Sequence, residues 1–313
     1  MKPRLTVASR AGAANRRHYE ALAASPQVGS DELTNEQIQH RADLQWSSLT
    51  AEPGSVDYSE VSVAGRRALW IAPEGSRADQ VLFYVHGGGF VGGSIYSHRK
   101  LVGHLANAAG TKGLLVSYPL SQTAKFPAQQ QHVIDAYKWL LKTGCPAEGI
   151  VVGGDSAGVG ALFGGRLLAK QSALSMPVAA LSISGWVDFT QSGRSYQTNR
   201  ERDAFFQKPT VDFLASFALG GLDAREASPL FADLTGMPPT YLQVGEHEAL
   251  LDDSVRFAEA LKAAGVETRI DIFPEMLHSF QMMAGFAPEA DDAITRFAGW
   301  VRPRLAQRVP PER

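Results

Sequence analysis

The sequence predicts an α/β fold in which a mostly parallel sheet of about eight strands carries helices on both faces. Three observations support this. Short apolar runs alternate with longer segments of helical periodicity, which is typical of a parallel sheet buried on both faces. An alternating hairpin pattern precedes them, and no internal repeat interrupts the order. The 313 residues are enough to bury a large core.

The strands and helices are assigned in chain order. Residues 56–63 and 67–71 alternate in hydrophobicity on either side of a glycine turn, which predicts an antiparallel hairpin at the sheet edge. Mainly apolar runs predict the other strands at 81–85, 114–118, 149–153, 178–183, 240–244 and 268–273. Helical patterns separate them at 98–110, 128–143, 157–171, 252–264 and 288–305.

Two segments fall outside this alternation. Residues 1–50 are polar with helical spacing, and residues 189–235 form a stretch too long for a simple crossover between strands. A long insertion between core strands is usually functional. We therefore expect both segments to form a helical cap, with the catalytic domain at 51–188 and 236–313. The alternative is a pair of surface helices without a role in the site.

Composition and charge narrow the range of partners. Apolar residues make up 44% and charged residues 20%, as in ordinary globular proteins. The formal net charge of −2 gives no electrostatic reason to expect a nucleic acid or an anionic membrane as partner. We find no secretory leader pattern, no apolar run of membrane-spanning length and one cysteine, Cys145, so the expected location is the cytoplasm.

The first motif with chemical meaning is Gly154-Asp155-Ser156-Ala157-Gly158, which fits the pattern G-x-S-x-G. Its glycines allow a tight strand-to-helix turn that lifts the serine above the sheet. The pentapeptide alone is weak evidence, but strand 149–153 precedes it and a helix rich in small residues follows. Ser156 is therefore the predicted nucleophile, and Asp155 is expected to be structural. The alternative is a helix-packing turn with an idle serine.

A second glycine-rich segment, His86-Gly87-Gly88-Gly89-Phe90, directly follows strand 81–85. Backbone N–H groups in such a loop can hold an oxyanion, and we expect Gly88, Gly89 and Ala157 to supply them. Phosphate binding is the alternative, but the chain has no Walker lysine pattern and no dinucleotide-binding glycine pattern with its acid. His86 lies inside the loop, so we expect a structural role for it.

Together, the two motifs resemble the double signature of the hormone-sensitive-lipase-like carboxylesterases, the GDXG or bacterial family IV branch of the α/β-hydrolase superfamily. The similarity runs from roughly residue 80 to residue 300. It includes Tyr118-Pro119-Leu120, Phe126-Pro127-Ala128 and the segment from Ser184 to Asp188. The chain departs from the family at Ser121 and Gln122, which affects only its subfamily placement. The resemblance implies an α/β-hydrolase fold and ester hydrolysis.

The predicted base is His278. In an α/β-hydrolase the chain order is nucleophile, acid, histidine, and only His247 and His278 follow Ser156. His278 lies beyond strand 268–273, where the last strand delivers the base, and His278-Ser279-Phe280 resembles the family's histidine motif.

The acid is expected after strand 240–244, where several carboxylates stand close together. In the family that the chain resembles, the acid precedes x-Leu-x-Asp, and this position falls on Glu248. Asp252 and Asp253 begin the next helix, where acids commonly serve as N-cap and first-turn residues. We predict Glu248, with Asp252, Asp253 and Glu246 as the alternatives.

These residues predict a serine carboxylesterase that needs no metal or organic cofactor, since histidine, cysteine and acidic residues show no clustered metal spacing. The resemblance implies a small-molecule, short-chain acyl ester as substrate and leaves a homodimer open. Lactone hydrolysis and small-amide deacetylation use the same triad and remain alternatives. A non-catalytic ligand receptor is a more remote one, because receptors of this fold lack the catalytic histidine and His278 is present.

Overall fold

The computed structural model describes residues 8–24, 34–171 and 174–306; the rest of the predicted N-terminal cap segment and of the C-terminal end lies outside these ranges. Within them, the strands form one eight-stranded sheet in the order β1-β2-β4-β3-β5-β6-β7-β8. The strands are β1 (Val56–Val63), β2 (Arg66–Pro73), β3 (Arg77–Val85), β4 (Thr111–Val116), β5 (Ile150–Asp155), β6 (Ala179–Ile183), β7 (Thr240–Gly245) and β8 (Thr268–Phe273).

The pairing directions confirm the predicted fold class. Strand β2 is antiparallel to both β1 and β4, whereas every other neighbouring pair is parallel. The hairpin therefore supplies the antiparallel edge of an otherwise parallel sheet. The α-helices are α1 (Arg10–Ala23), α2 (Asn35–Ser47), α3 (Ile95–Ala109), α4 (Ala128–Lys142), α5 (Ala157–Gln171), α6 (Ser195–Thr198), α7 (Lys208–Leu219), α8 (Ala224–Ala227), α9 (Leu251–Ala263) and α10 (Pro288–Ala306).

Strand β3 shows why the central strands are apolar throughout. Leu82 and Tyr84 belong to the core that includes α3 and α10, while Phe83 and Val85 belong to the core that includes α4, α5 and α9. All four side chains are fully buried. Side chains alternate between the faces of a strand, so a strand covered on both faces needs apolar residues at every position. Burial of each such side chain stabilises the fold by roughly 1.5–3 kcal/mol.

Helix α3 begins at Ile95, earlier than the predicted start at residue 98. The Ser94 hydroxyl accepts hydrogen bonds from the N–H groups of Tyr96 and Ser97, and the Ser97 hydroxyl accepts one from the Ser94 N–H. This reciprocal capping satisfies N–H groups that a helix start otherwise leaves unpaired. The prediction placed the boundary too late because the preceding glycines are typical of a loop.

The parallel strands bring the sequence motifs to one edge of the sheet. Val85 pairs with Gly154, Asp155 with Ile183, and Gly245 with Phe273, so β3, β5, β6, β7 and β8 end side by side. The glycine loop, Ser156, Glu248 and His278 all follow these strand ends. The carboxyl ends of parallel strands are where open α/β sheets bind their ligands.

Helix α1 and the insertion between β6 and β7 meet above this edge. The Arg16 guanidinium donates hydrogen bonds to the carbonyls of Glu201 and Arg202, at 3.2 and 2.8 Å. The Tyr19 ring lies 6.2 Å from the Phe205 ring, between ring centres. Helix α1 and residues 200–206 thus pack directly against each other. None of the helices in the described ranges is long and apolar enough to cross a membrane.

Candidate active site

Ser156 occupies the turn between β5 and α5 in a left-handed conformation, with φ of 50°. Its N–H donates to the Ile183 carbonyl at 2.9 Å, and its own carbonyl accepts from the N–H of Trp186 at 3.0 Å. A residue other than glycine in this conformation costs about 1–3 kcal/mol, and the surrounding structure must impose it. The hydrogen bonds to the last residue of β6 and to the segment after it are that constraint.

The glycines of the motif are required by the neighbouring strand. A Cβ atom on Gly158 would lie 2.2 Å from the Val85 carbonyl oxygen, and one on Gly154 would lie 2.9 Å from the same oxygen. Any side chain at either position would push β3 away from the turn. The pattern G-x-S-x-G is therefore a packing requirement for a serine raised on this turn.

Asp155 ties the glycine loop to the serine turn. Its buried carboxylate accepts hydrogen bonds from the Gly87 N–H at 3.0 Å and from the Tyr84 hydroxyl at 3.2 Å. A Cβ on Gly87 would lie 2.2 Å from the same carboxylate, so only glycine allows this approach. The distance between the glycine loop and Ser156 is thus set by a side chain adjacent to the serine.

The three backbone donors expected for an oxyanion lie in the glycine loop and at the start of α5. In the described part of the chain, neither the Gly88 N–H nor the Gly89 N–H donates a hydrogen bond. The Ala157 N–H belongs to the first residue of α5, where a helix offers no internal acceptor. The Gly88 carbonyl, by contrast, accepts from the N–H groups of Val91 and Gly92, which holds the loop in a closed turn.

His278 and Glu248 form a buried hydrogen-bonded pair. The His278 Nδ1 atom lies 3.0 Å from Glu248 Oε2, and the two residues are 2% and 0% exposed. An ionised carboxylate can only accept hydrogen bonds, so Nδ1 carries the proton in this pair. That leaves Nε2 of the neutral ring as the proton acceptor.

Glu248 receives two further hydrogen bonds on its other oxygen. The Gly245 N–H donates to Oε1 at 2.5 Å, and the Ser184 hydroxyl does so at 2.6 Å. Three donors converge on a carboxylate that is shielded from water. Both oxygens of Glu248 are therefore held in place by hydrogen bonds.

The other carboxylates near β7 bind backbone instead of the imidazole. Asp252 accepts from the N–H groups of Arg194 and Ser195, at 2.6 and 3.1 Å. Asp253 accepts from the N–H groups at 187 and 188, and burial, followed by the charge of Asp188, raises its pKa well above the usual value. Glu246 accepts from the N–H of Glu275 at 3.1 Å.

A buried histidine that the sequence analysis did not single out contacts Asp155. His98 Nε2 lies 3.3 Å from the Asp155 carboxylate, and its Nδ1 lies 2.8 Å from the Ser97 hydroxyl. Burial by itself would raise the pKa of Asp155, but His98 opposes it and the pKa lies below its usual range. No local motif marks His98, because only the fold brings α3 beneath the serine turn.

His86 is buried and packs within the glycine loop. Its ring stacks on Tyr118 at 4.4 Å between ring centres, and its Nδ1–H donates to the Gly87 carbonyl at 2.8 Å. Burial, together with the nearby His98, lowers the pKa of His86 to about 4. The ring is therefore neutral at physiological pH and supports the loop from below.

Side chains from α1 and the insertion cover these residues. The Phe206 ring lies 4.3 Å from the His278 ring, and the Tyr19 hydroxyl donates to the His278 main-chain carbonyl. Leu214 of α7 approaches Gly89 so closely that a Cβ there would lie 3.0 Å from its Cδ1. The sequence analysis could not identify these residues, because no motif connects the insertion to the strand-end loops.

A serine on a strand-to-helix turn, a glycine loop beside it and a buried histidine–carboxylate pair at the same sheet edge are the features of an α/β-hydrolase. The chain belongs to that family, since the family profile described as alpha/beta hydrolase fold matches residues 82–282. Within the family, it belongs to the hormone-sensitive-lipase-like esterases that its motifs resemble.

The relatives agree with this placement. An acetyl-hydrolase of Streptomyces hygroscopicus is 34% identical over 265 residues, covering 84% of this chain and 87% of the relative. An esterase of Acinetobacter venetianus is 34% identical over 249 residues, covering 78% of this chain and 81% of the relative. A solved esterase of the bacterial hormone-sensitive lipase family superposes with a TM-score of 0.90 at 33% identity, covering 96% and 99% of the two chains.

Proposed function

We propose that this protein, a carboxylic ester hydrolase, cleaves short-chain acyl esters through a Ser156–His278–Glu248 triad and an acyl-enzyme intermediate. One observation carries the proposal: His278 is buried, and its Nδ1 is bound to Glu248 at the sheet edge where Ser156 is raised on its turn. An oriented base at the sheet edge that carries the serine is what the serine needs in order to act as a nucleophile.

In the first step, His278 Nε2 takes the proton of Ser156 as its oxygen attacks the ester carbonyl. Glu248 stabilises the imidazolium that forms and keeps the ring in the required tautomer. His278 then protonates the leaving alcohol, and an acyl group remains on the serine. In the second step, His278 takes a proton from water, which attacks the acyl-enzyme and releases the carboxylic acid.

The negative charge of each tetrahedral intermediate falls on the former carbonyl oxygen. We assign its stabilisation to the N–H groups of Gly88, Gly89 and Ala157, which donors in a pre-arranged loop can provide without reorganisation. Asp155 supports this role because its contact with the Gly87 N–H holds the loop against the serine turn. No step requires a metal or an organic cofactor.

The preference for short acyl chains is supported by what covers the site. Phe206 packs on the His278 ring and Leu214 packs over Gly89, so apolar side chains lie next to the proposed base and next to the glycine loop. One curated relative is named an acetyl-hydrolase and another an ethyl acetate hydrolase, from Pseudomonas putida, at 30% identity. Small acyl groups fit such a site best.

The proposal also covers the cap, the cellular location and the oligomeric state. Residues 1–50 and 189–235 act as a cap over the catalytic domain formed by 51–188 and 236–313. The enzyme works in the cytoplasm, as the single cysteine favours. The family resemblance leaves a homodimer open as its oligomeric state. Limited proteolysis, cell fractionation and a sizing column test these three statements in turn.

Hydrolysis of p-nitrophenyl esters from acetyl to dodecanoyl tests the main proposal. Wild type is compared with Ser156→Ala, His278→Ala, Glu248→Ala and, as a matched control, Asp252→Ala. We expect the first two variants to be inactive, Glu248→Ala to be strongly impaired and Asp252→Ala to keep its rate. Wild-type rates in Ser156→Ala would overturn the triad. A rate maximum at the longest chains, or faster turnover of lactones than of acetate esters, would overturn the substrate class.

A further inference from the structure

We propose that Ser184 is a positioning residue that holds the catalytic acid Glu248, an inference that rests on the triad proposed above. Ser184 directly follows β6 and is fully buried. Its hydroxyl oxygen lies 2.6 Å from Glu248 Oε1 and 2.9 Å from the Ser279 backbone nitrogen. Ser279 is the residue after His278, so one hydroxyl joins the segment of the acid to the segment of the base.

The direction of these hydrogen bonds follows from the partners. A backbone N–H can only donate, so the Ser184 oxygen accepts from Ser279. The hydroxyl proton is then free to point at Glu248, whose ionised oxygen can only accept. A hydrogen bond to a charged acceptor is roughly twice as strong as a neutral one. Ser184 therefore pins Oε1, while the other oxygen, Oε2, remains directed at His278 Nδ1.

The backbone around Ser184 is held as firmly as its side chain. Ser184 has a φ of 46°, the left-handed conformation that residues other than glycine rarely adopt. Its N–H donates to the Gln243 carbonyl of β7 at 2.8 Å. The carbonyl of the preceding Ile183 accepts from the Ser156 N–H at 2.9 Å. Ile183 and Ser184 together thus contact the chain segments of the nucleophile, the acid and the base.

This position predicts a specific kinetic effect. Ser184 acts through Glu248, whose charge matters most when His278 becomes positively charged in the transition state. Without the hydroxyl, the buried carboxylate loses a donor and can rotate away from Nδ1. An interaction that strengthens only in the transition state affects kcat and leaves KM unchanged. Loss of one hydrogen bond to a charged group lowers kcat about tenfold.

The test compares Ser184→Ala with Ser182→Ala. Ser182 lies two positions earlier, on β6, is also buried, and its hydroxyl has no hydrogen-bond partner in the described part of the chain. We expect Ser184→Ala to lose kcat about tenfold at unchanged KM, and Ser182→Ala to keep both constants. The proton NMR signal of His278 Nδ1–H should move upfield only in Ser184→Ala, because its hydrogen bond to Glu248 weakens.

A double-mutant cycle with Glu248→Gln separates positioning from general damage. If Ser184 acts through the charged acid, removal of its hydroxyl should change kcat little in the Glu248→Gln background. The two losses in kcat are then not additive. Ser184→Gly provides a second variant, since glycine accepts the left-handed backbone without strain. We expect it to lose kcat as Ser184→Ala does, even if the alanine variant folds poorly.

Three results would overturn the positioning role. These are wild-type kcat in Ser184→Gly, an equal loss of kcat in Ser184→Ala and Ser182→Ala, and fully additive losses in the cycle. Each leaves the triad intact as long as Ser156→Ala is inactive. An active Ser156→Ala would instead overturn the proposed function itself.

Discussion

The strand-end loops and the segments that cover them contribute to the site in different ways. The loops after β3, β5, β6 and β7 place their groups through buried hydrogen bonds, such as those of Asp155 with Gly87 and of Ser184 with Glu248. Helix α1 and the insertion contribute aromatic packing, such as Phe206 on His278, and side-chain hydrogen bonds to the backbone of the loops, such as those of Asn199 with the carbonyls of Glu246 and Glu248. Under the proposed function, the strand-end loops supply the reacting groups, and the covering segments hold these loops and select the substrate.

The largest loss of activity should come from a substitution among the carboxylates of the strand-end loops. Glu248 and Asp253 are both fully buried, but Glu248 contacts the imidazole, whereas Asp253 contacts backbone N–H groups and its raised pKa favours the neutral acid. We expect Glu248→Gln to lower kcat about 10³–10⁴-fold, because the amide cannot stabilise an imidazolium. Asp253→Asn should keep the wild-type kcat, because an amide oxygen can accept the same two hydrogen bonds.

Steady-state kinetics on p-nitrophenyl acetate measures both variants, with circular dichroism to verify folding. A loss of kcat in Asp253→Asn comparable to that in Glu248→Gln would contradict the different roles of the two acids, one binding the imidazole and the other binding backbone N–H groups.

The second effect concerns the pH dependence of stability in the same region. The unfolded chain protonates His86 as the pH falls below 6.5, whereas the folded chain does so only near its lowered pKa of about 4. The unfolding free energy should therefore fall as the pH falls through this window. At 1.36 kcal/mol per pKa unit, the contribution of this one buried ring is about 3 kcal/mol.

Urea unfolding between pH 7 and pH 4 checks this sign. His86→Asn keeps an N–H donor for the Gly87 carbonyl but removes the titrating ring, so its stability should depend less steeply on pH. His40→Asn on α2 is the control, because His40 is exposed. Equal pH slopes in wild type and His86→Asn would show that this buried histidine contributes nothing to the acid sensitivity.

The smallest effect on kinetics should come from substitutions in helix α1 and the insertion, which cover the strand-end loops. Leu214 packs over Gly89, while its neighbour Phe213 is 48% exposed. We expect Leu214→Ala to raise kcat/KM for hexanoyl esters relative to acetyl esters about tenfold. Adding or removing methylene groups in an apolar pocket changes the ratio of kcat/KM values by roughly this factor. Phe213→Ala should leave the ratio unchanged. A similar ratio in both variants would remove Leu214 from acyl-chain selection.

Physical reasons explain how much the sequence could predict. The sheet was predictable because strands covered on both faces must be apolar throughout, as Phe83 and Tyr84 illustrate. Ser156 could be proposed because a strained turn requires glycines, His278 because of the chain order of the roles, and Glu248 because its segment resembles the family's acid motif. The fold then brings Glu248 and His278 to 3.0 Å.

The remaining parts of the site depend on contacts between distant segments. His98 reaches Asp155 only because α3 packs against the sheet, and Ser184 reaches Glu248 only because β6 and β7 are neighbours. Leu214 and Phe206 lie in a segment without periodic strands or motifs, so nothing in the local sequence indicates which side chains face the site. Such contacts are properties of the folded chain and not of any short stretch of it.

Covalent labelling tests the central claim most directly. Diethyl p-nitrophenyl phosphate reacts with an activated serine to leave a stable phosphoryl adduct, and mass spectrometry of the digested protein locates it. We predict a single adduct on Ser156, with activity lost in proportion to labelling and no labelling in His278→Ala. An adduct on another residue, or full activity after complete modification of Ser156, would contradict it.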